Sequence, residues 1–126
     1  MGYESRIYVI REFDNISYGL PYGEKIAVLN LCKMGHEVYN RKTFRELFNQ
    51  ERTCHFYADD GETIIEEDRY GDKIQKADPK EVIKWLRKML KNDYYWRAEM
   101  LYKFLLGMEK AKEKTGQGYS LYHYGY

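Results

Sequence analysis

Residues 55–72 read HFYADDGETIIEEDRYGD and hold the densest set of chemically competent side chains in the chain. Asp59 and Asp60 are adjacent carboxylates placed just before Gly61, between β-prone runs at 52–58 and 63–68. Carboxylates at the bend of a hairpin can hold divalent cations, and two-metal phosphoryl transfer needs them to converge on ions about 3.5–4 Å apart. The same residues also suit an ordinary turn, because Asp and Gly accept the left-handed backbone that a tight hairpin demands. A two-residue turn at 60–61 sets Asp59 opposite Glu62, Tyr57 opposite Ile64, Phe56 opposite Ile65 and His55 opposite Glu66. Cys54, Phe56, Ala58, Thr63 and Ile65 then share a face apolar enough to meet a core, while His55 and Glu66 form a solvated cross-strand pair.

Tyr57-Ala58-Asp59-Asp60 resembles the metal-binding hairpin of reverse-transcriptase-like polymerases, which implies magnesium-dependent phosphoryl transfer at Asp59 and Asp60. The resemblance covers four residues. Those enzymes take a further carboxylate from an earlier strand, and Asp14, the one candidate here, lies in a stretch of loop composition. A chain of 126 residues also leaves no room for a palm, a nucleotide platform and a template grip. The turn reading is preferred, and a phosphoryl-transfer enzyme at Asp59/Asp60 stands as an alternative. Calcium fits worse, since the front of an EF-hand loop would fall on Phe56 and Ala58, which offer no side-chain oxygen. A zinc site from Cys32, His36, Cys54 and His55 fails on direction, because adjacent strand residues point to opposite faces. Cys54 on an apolar face is a poor nucleophile, and nothing sets a histidine beside either thiol. No catalytic residue, metal or cofactor is expected.

The net charge of +1 conceals a division. Residues 51–72 carry 8 acidic and 2 basic side chains, whereas 73–126 carry 12 basic and 6 acidic ones. A concentrated acidic surface steers toward a basic partner groove and can imitate a phosphate backbone. On this reading Asp59, Asp60, Glu62, Glu66, Glu67, Asp68 and Asp72 form a binding surface, with Tyr57, Ile64 and Tyr70 as apolar anchors. The expected function is a non-enzymatic protein-binding accessory or inhibitor acting on a partner with a basic surface. A nucleic-acid-binding accessory is the alternative. It would use Lys84, Arg87, Lys88, Lys91, Arg97 and Lys103, with Tyr94, Tyr95, Trp96 and Tyr102 for stacking.

The elements that must position these residues follow from periodicity. Residues 4–13 read as a strand, 14–23 as a Gly/Pro/Asn-rich loop, and 24–34 as a second strand antiparallel to the first. Thr43-x-x-Glu46 has capping-box spacing and starts a short helix over 43–50. Asp78-Pro79 opens a helix whose apolar stripe is Val82, Ile83, Leu86, Met89 and Leu90. A longer helix over 94–114, with Tyr94, Ala98, Leu101, Leu105 and Met108 inward, stops at Gly116. The fold class is α+β: a small antiparallel sheet of two hairpins with a C-terminal helical hairpin packed against it. Residues 1–115 form a single domain, and the tail 116–126 is frayed or laid over the surface. The absence of an apolar run near 20 residues argues against a membrane partner. No secretory signal is visible, Arg6 breaks a myristoylation motif, and two cysteines suit reduced thiols, so a cytoplasmic setting is expected.

The opening MGYESRIYVI, the segment YADDGETIIEEDRYGD and the paired C-terminal helices are similar to small uncharacterised proteins encoded by phages and prophages of low-GC bacteria. That resemblance implies a small accessory or host-directed protein in a bacterial cell, inhibition of a host defence nuclease being one such role. It assigns no catalytic residue.

Overall fold

The strand pair at the start of the chain extends well past its expected ends. In the computed structural model, which describes residues 4–17, 19–32, 38–39 and 42–126, β1 is Ser5–Ser17 and β2 is Leu20–Cys32. His36, weighed above as a zinc ligand, and the side chains of Asp14 and Thr43 lie outside the described residues. The two strands pair antiparallel, with Ile7 opposite Leu29, Tyr8 opposite Val28 and Val9 opposite Ala27. The loop expected over 14–23 is instead the far end of this hairpin, where Ile16 pairs with Pro21 and Ser17 with Leu20. A register irregularity between Glu12 and Ile16 absorbs the turn-prone residues. Pro21 is tolerated because its carbonyl, and hence its N–H-less nitrogen, faces away from β1 and accepts from the His55 amide at 2.9 Å.

The larger correction concerns the C-terminus. Residues 116–126 are not a frayed tail, because Ser120–Gly125 forms β6 inside a four-stranded sheet of order β2-β1-β6-β5. β5 is Gln75–Ala77, and two further short strands, β3 (Val38–Tyr39) and β4 (Lys42–Thr43), pair with each other. Leu121 and Tyr122 are fully buried. Glycine and tyrosine richness masked a period of two, in which Ser120, Tyr122 and Tyr124 face one way and Leu121 and His123 the other.

Helices cover one face of the sheet. Asp78 caps α1 (Pro79–Asn92) by accepting from the Lys80 amide at 3.0 Å, and Pro79 sits where a helix has no N–H to satisfy. Val82, Ile83, Trp85, Leu86 and Met89 are buried from α1, and Ala98, Leu101 and Leu105 from α2 (Trp96–Thr115). They pack on Ile7, Val9, Leu31 and Leu121. α2 begins two residues later than expected, so Tyr94 lies outside it, exposed rather than on the buried stripe. Gly116 ends it with φ 71°. The short helix after β4 is a 3₁₀ turn, Phe44–Leu47, which inserts Phe44 and Leu47 into the same core.

The opposite face is covered by chain with little regular structure. Residues 50–74 run across it, and Cys54, Phe56, Ile65 and Ile74 join Tyr8, Ile10 and Tyr122 in a second core. This packing admits no side chain at position 23. A Cβ on Gly23 would lie 2.6 Å from Ile10 Cγ2 and 2.8 Å from Cys54 Sγ. The Gly23 amide meanwhile donates to the His55 carbonyl at 2.7 Å. The architecture is α+β, and no helix among the described residues is long and apolar enough to cross a membrane.

Candidate functional site: an acidic cleft

The acidic segment folds in the register that its sequence dictates, but without becoming a strand ladder. Tyr57 bridges Ile64, the Ile65 amide donates to the Phe56 carbonyl at 3.0 Å, and the Ala58 amide to the Thr63 carbonyl at 2.7 Å. Cys54 and Phe56 point into the core as expected. His55 does not face solvent opposite Glu66. It is 1% exposed, with its ring 5.7 Å from that of Tyr22 and 6.0 Å from that of Tyr57. The reason is tertiary: the segment lies on the sheet beside β2, so both sides of an alternating run are covered.

The turn shows what Asp59 and Asp60 do. Asp60 Oδ1 accepts from the backbone amides of Glu62 and Thr63, each at 2.8 Å, and its Oδ2 accepts from the Thr63 hydroxyl. These bonds, led by that from the Thr63 hydroxyl, lower the Asp60 carboxyl to a pKa of about 2. Gly61 adopts φ 72°, the left-handed conformation anticipated for it. Asp59 instead makes an ion pair with Lys25 Nζ at 3.1 Å. One carboxylate organises the turn and the other ties it to β2.

A second turn follows. Asp68 Oδ1 accepts from the Tyr70 and Asp72 amides at 2.8 and 3.0 Å, and Oδ2 from the Gly125 amide at 3.2 Å. The Arg69 amide donates to the Gly125 carbonyl at 3.0 Å. Asp68 is therefore a structural clamp between this turn and β6, with both oxygens occupied.

Between the first turn and the sheet lies a cleft of about 630 Å³. Asp59, Asp60, Ile64, Glu66 and Glu67 line it, five of the ten residues proposed from sequence, together with Arg6, Tyr8 and Tyr124. Glu62 is exposed on the adjoining turn. The other four are elsewhere. Asp68 and Asp72 line a different cleft of about 450 Å³ with Arg45, Phe48, Lys73 and His123. Tyr57 is half-buried, its ring 5.8 Å from that of Tyr22, and Tyr70 is exposed on the second turn. Arg6, Tyr8 and Tyr124 were missed because they arrive through β1 and β6. Their signal was the two-residue period of the C-terminus, which pairs Tyr124 with Arg6 and Tyr122 with Tyr8.

Four carboxylates and one guanidinium, Arg6, line the cleft. Glu66, Glu67 and Asp60 are exposed, and Arg52 reaches Glu66 only at 3.9 Å. Arg6 is held at the sheet end by Asn30, whose Oδ1 accepts from its Nε at 2.9 Å, and by the Tyr126 ring 4.2 Å from its guanidinium carbon. The turn segment thus lines the cleft with carboxylates and Ile64, and the sheet lines it with Arg6, Tyr8 and Tyr124. Beneath the cleft, burial pushes the Cys54 thiol up to about 11, which makes it a poor nucleophile, and its Sγ lies 3.4 Å from the Tyr122 hydroxyl. Among the described residues no three His, Cys, Asp or Glu side chains are grouped to hold a metal ion. Set against known protein families, curated proteins and solved structures, the chain shows no significant match, so its site is read from its own geometry.

Proposed function

We propose that this chain is a non-catalytic binding protein that docks a partner with a basic surface into the cleft between residues 58–67 and β6. The carrying observation is that exposed Glu66 and Glu67 line a single concavity together with the turn carboxylates Asp59 and Asp60, with Tyr8, Tyr124 and Ile64 as apolar contact area and Arg6 as its one cation. Carboxylates that remain solvated in the free protein are available to pair with lysine and arginine, and their summed field accelerates encounter. Aromatic side chains beside them supply the desolvated anchors in which interface energy concentrates. Following the resemblance to small phage-encoded proteins, the partner is a host protein of the bacterial cytoplasm. The DNA-binding groove of a defence nuclease has the complementary charge.

The test is capture of partners from bacterial lysate with the native chain and with the Glu62→Gln/Glu66→Gln/Glu67→Gln variant. The native chain should retain a basic protein in a salt-sensitive manner, and the variant should lose it. Retention of every partner by the triple variant would sink the proposal.

A further inference from the structure

The two sides of the sheet carry different charge. The acidic cleft belongs to the side that residues 50–74 cover, and the helices cover the other. On α1 the bases recur every three or four residues, at Lys80, Lys84, Arg87, Lys88 and Lys91, and all of them are exposed. That spacing returns to one face on successive turns, opposite buried Val82, Leu86 and Met89. The stripe therefore runs for about 16 Å with a cation on each turn. Glu81 is the one exposed acid of α1, and none of the exposed residues of this helix is apolar.

The stripe ends at two exposed rings. Tyr94 and Trp96, 67% and 53% exposed, stand at the junction of α1 and α2, just past Lys91. Both are held in place. A hydrogen bond to the Glu99 carboxylate raises the pKa of the Tyr94 hydroxyl and fixes that ring. The Arg97 guanidinium carbon lies 4.5 Å from the centre of the Trp96 ring, and Arg97 Nη1 donates to the Asn30 carbonyl at 2.7 Å. The cation over Trp96 is thus anchored to β2. Beside the stripe, Arg87 Nε donates to the Tyr102 hydroxyl of α2 at 3.2 Å.

We infer that the exposed side of α1 and the α1–α2 junction form a second binding site, for single-stranded nucleic acid, with phosphates along Lys80, Lys84, Lys88 and Lys91 and bases stacked on Tyr94 and Trp96. Three features select this occupant. A row of cations on consecutive helical turns matches a polyanion whose charges repeat along an extended strand. Exposed rings at the end of that row stack on unpaired bases, and Arg97 adds its charge to the stack. A duplex, whose bases are already stacked, and an acidic peptide both leave those rings unused. A lipid surface fits worse, because the exposed side of α1 brings no apolar residue to enter it. The site lies across the sheet from the acidic cleft, and its failure would leave the function proposed above untouched.

The test is fluorescence anisotropy of the full chain with a labelled oligothymidine of about 12 nucleotides at low salt. The native protein should bind, with a slope of log affinity against log salt of about −3, as four phosphate contacts on a single strand require. Lys84→Glu/Lys88→Glu should lose binding, and Trp96→Ala should weaken it roughly tenfold, both with unchanged circular dichroism because these positions are exposed. Unlabelled oligonucleotide should quench the emission of Trp96 but not of buried Trp85, so the quench should vanish in Trp96→Ala. The Glu62→Gln/Glu66→Gln/Glu67→Gln variant should bind the strand as the native chain does. No binding, binding indifferent to either α1–α2 variant, or loss of binding in the acidic-cleft variant would each overturn the inference. So would equal affinity for a DNA duplex, polyglutamate or vesicles of anionic phospholipid.

Discussion

Residues 58–72 and residues 116–126 are neighbours in the fold, joined by Asp68 and Arg69 on Gly125, yet they are organised by opposite means. The acidic segment takes its form from local bonds: Asp60 closes one turn and Asp68 the next, each over two to four residues. Its glutamates, Glu62, Glu66 and Glu67, stay exposed to solvent. The C-terminal segment has little local structure after Gly116 and takes its form from partners far away in sequence, β1 on one side and β5 on the other. Its tyrosines look like surface ornaments in the sequence, but Tyr122 is completely buried. The difference teaches that chemical density marks where side chains meet solvent, whereas the residues that hold the molecule together can sit in its blandest stretch.

The sharpest way to break this contrast is truncation after Gly116. Removing β6 should abolish cooperative melting, because it separates β1 from β5 and uncovers both cores; a truncated chain with a native melt would refute the central role given to β6. Tyr122→Ala should cost about 3–5 kcal/mol in denaturant unfolding, the usual range for deleting a buried aromatic ring. His123 on the same strand gives a pH readout. Burial, then the charge of Arg45, lowers its pKa to about 4, and its Nε2 lies 2.8 Å from Ser5 Oγ. Between that value and about 6.5 the unfolded chain binds a proton that the folded chain refuses. Stability from this group is therefore present above pH 6.5 and lost as pH falls toward 4, by an amount on the order of 2–3 kcal/mol. Urea titrations of His123→Gln against the native chain across that window should show the difference. Gly23→Ala should cost about 1–3 kcal/mol by overpacking Ile10 and Cys54, readable as a shift in urea midpoint. At the small end, Glu62→Gln/Glu66→Gln/Glu67→Gln should leave the melting temperature close to native while partner capture fails. A large loss of stability in that triple variant would mean that the acidic wall is structural rather than a binding surface.

Much of this was legible before any coordinates. Asp78-Pro79 and Gly116 mark real helix ends because capping is decided by a few adjacent residues. The pairing of Tyr57 with Ile64 follows from a turn whose chemistry is equally local. The missed features share a non-local cause. The Pro-containing stretch over 20–22 reads as loop until one sees that Pro21 faces the outer edge of β2, where no β1 bond is lost. His55 reads as solvated until Tyr22 and Tyr57 close over it. Half of the proposed surface residues converge on one cleft, since they lie on one turn and its exit, while Asp68 and Asp72 are drawn toward β6 and the neighbouring cleft.

By itself the sequence determined the α+β class, the two helices with the start of the first and the stop of the second, the hairpin register at Tyr57 and the concentration of carboxylates over 51–72. Each of these depends on interactions within about a dozen residues, which composition and periodicity report directly. Only the tertiary structure decided that the last strand lies inside the sheet, that Arg6, Tyr8 and Tyr124 complete the cleft, and that Asp68 is a clamp rather than a contact residue. Those outcomes rest on pairings between segments tens of residues apart, where many partners satisfy the local pattern equally well and close packing of the whole chain selects one.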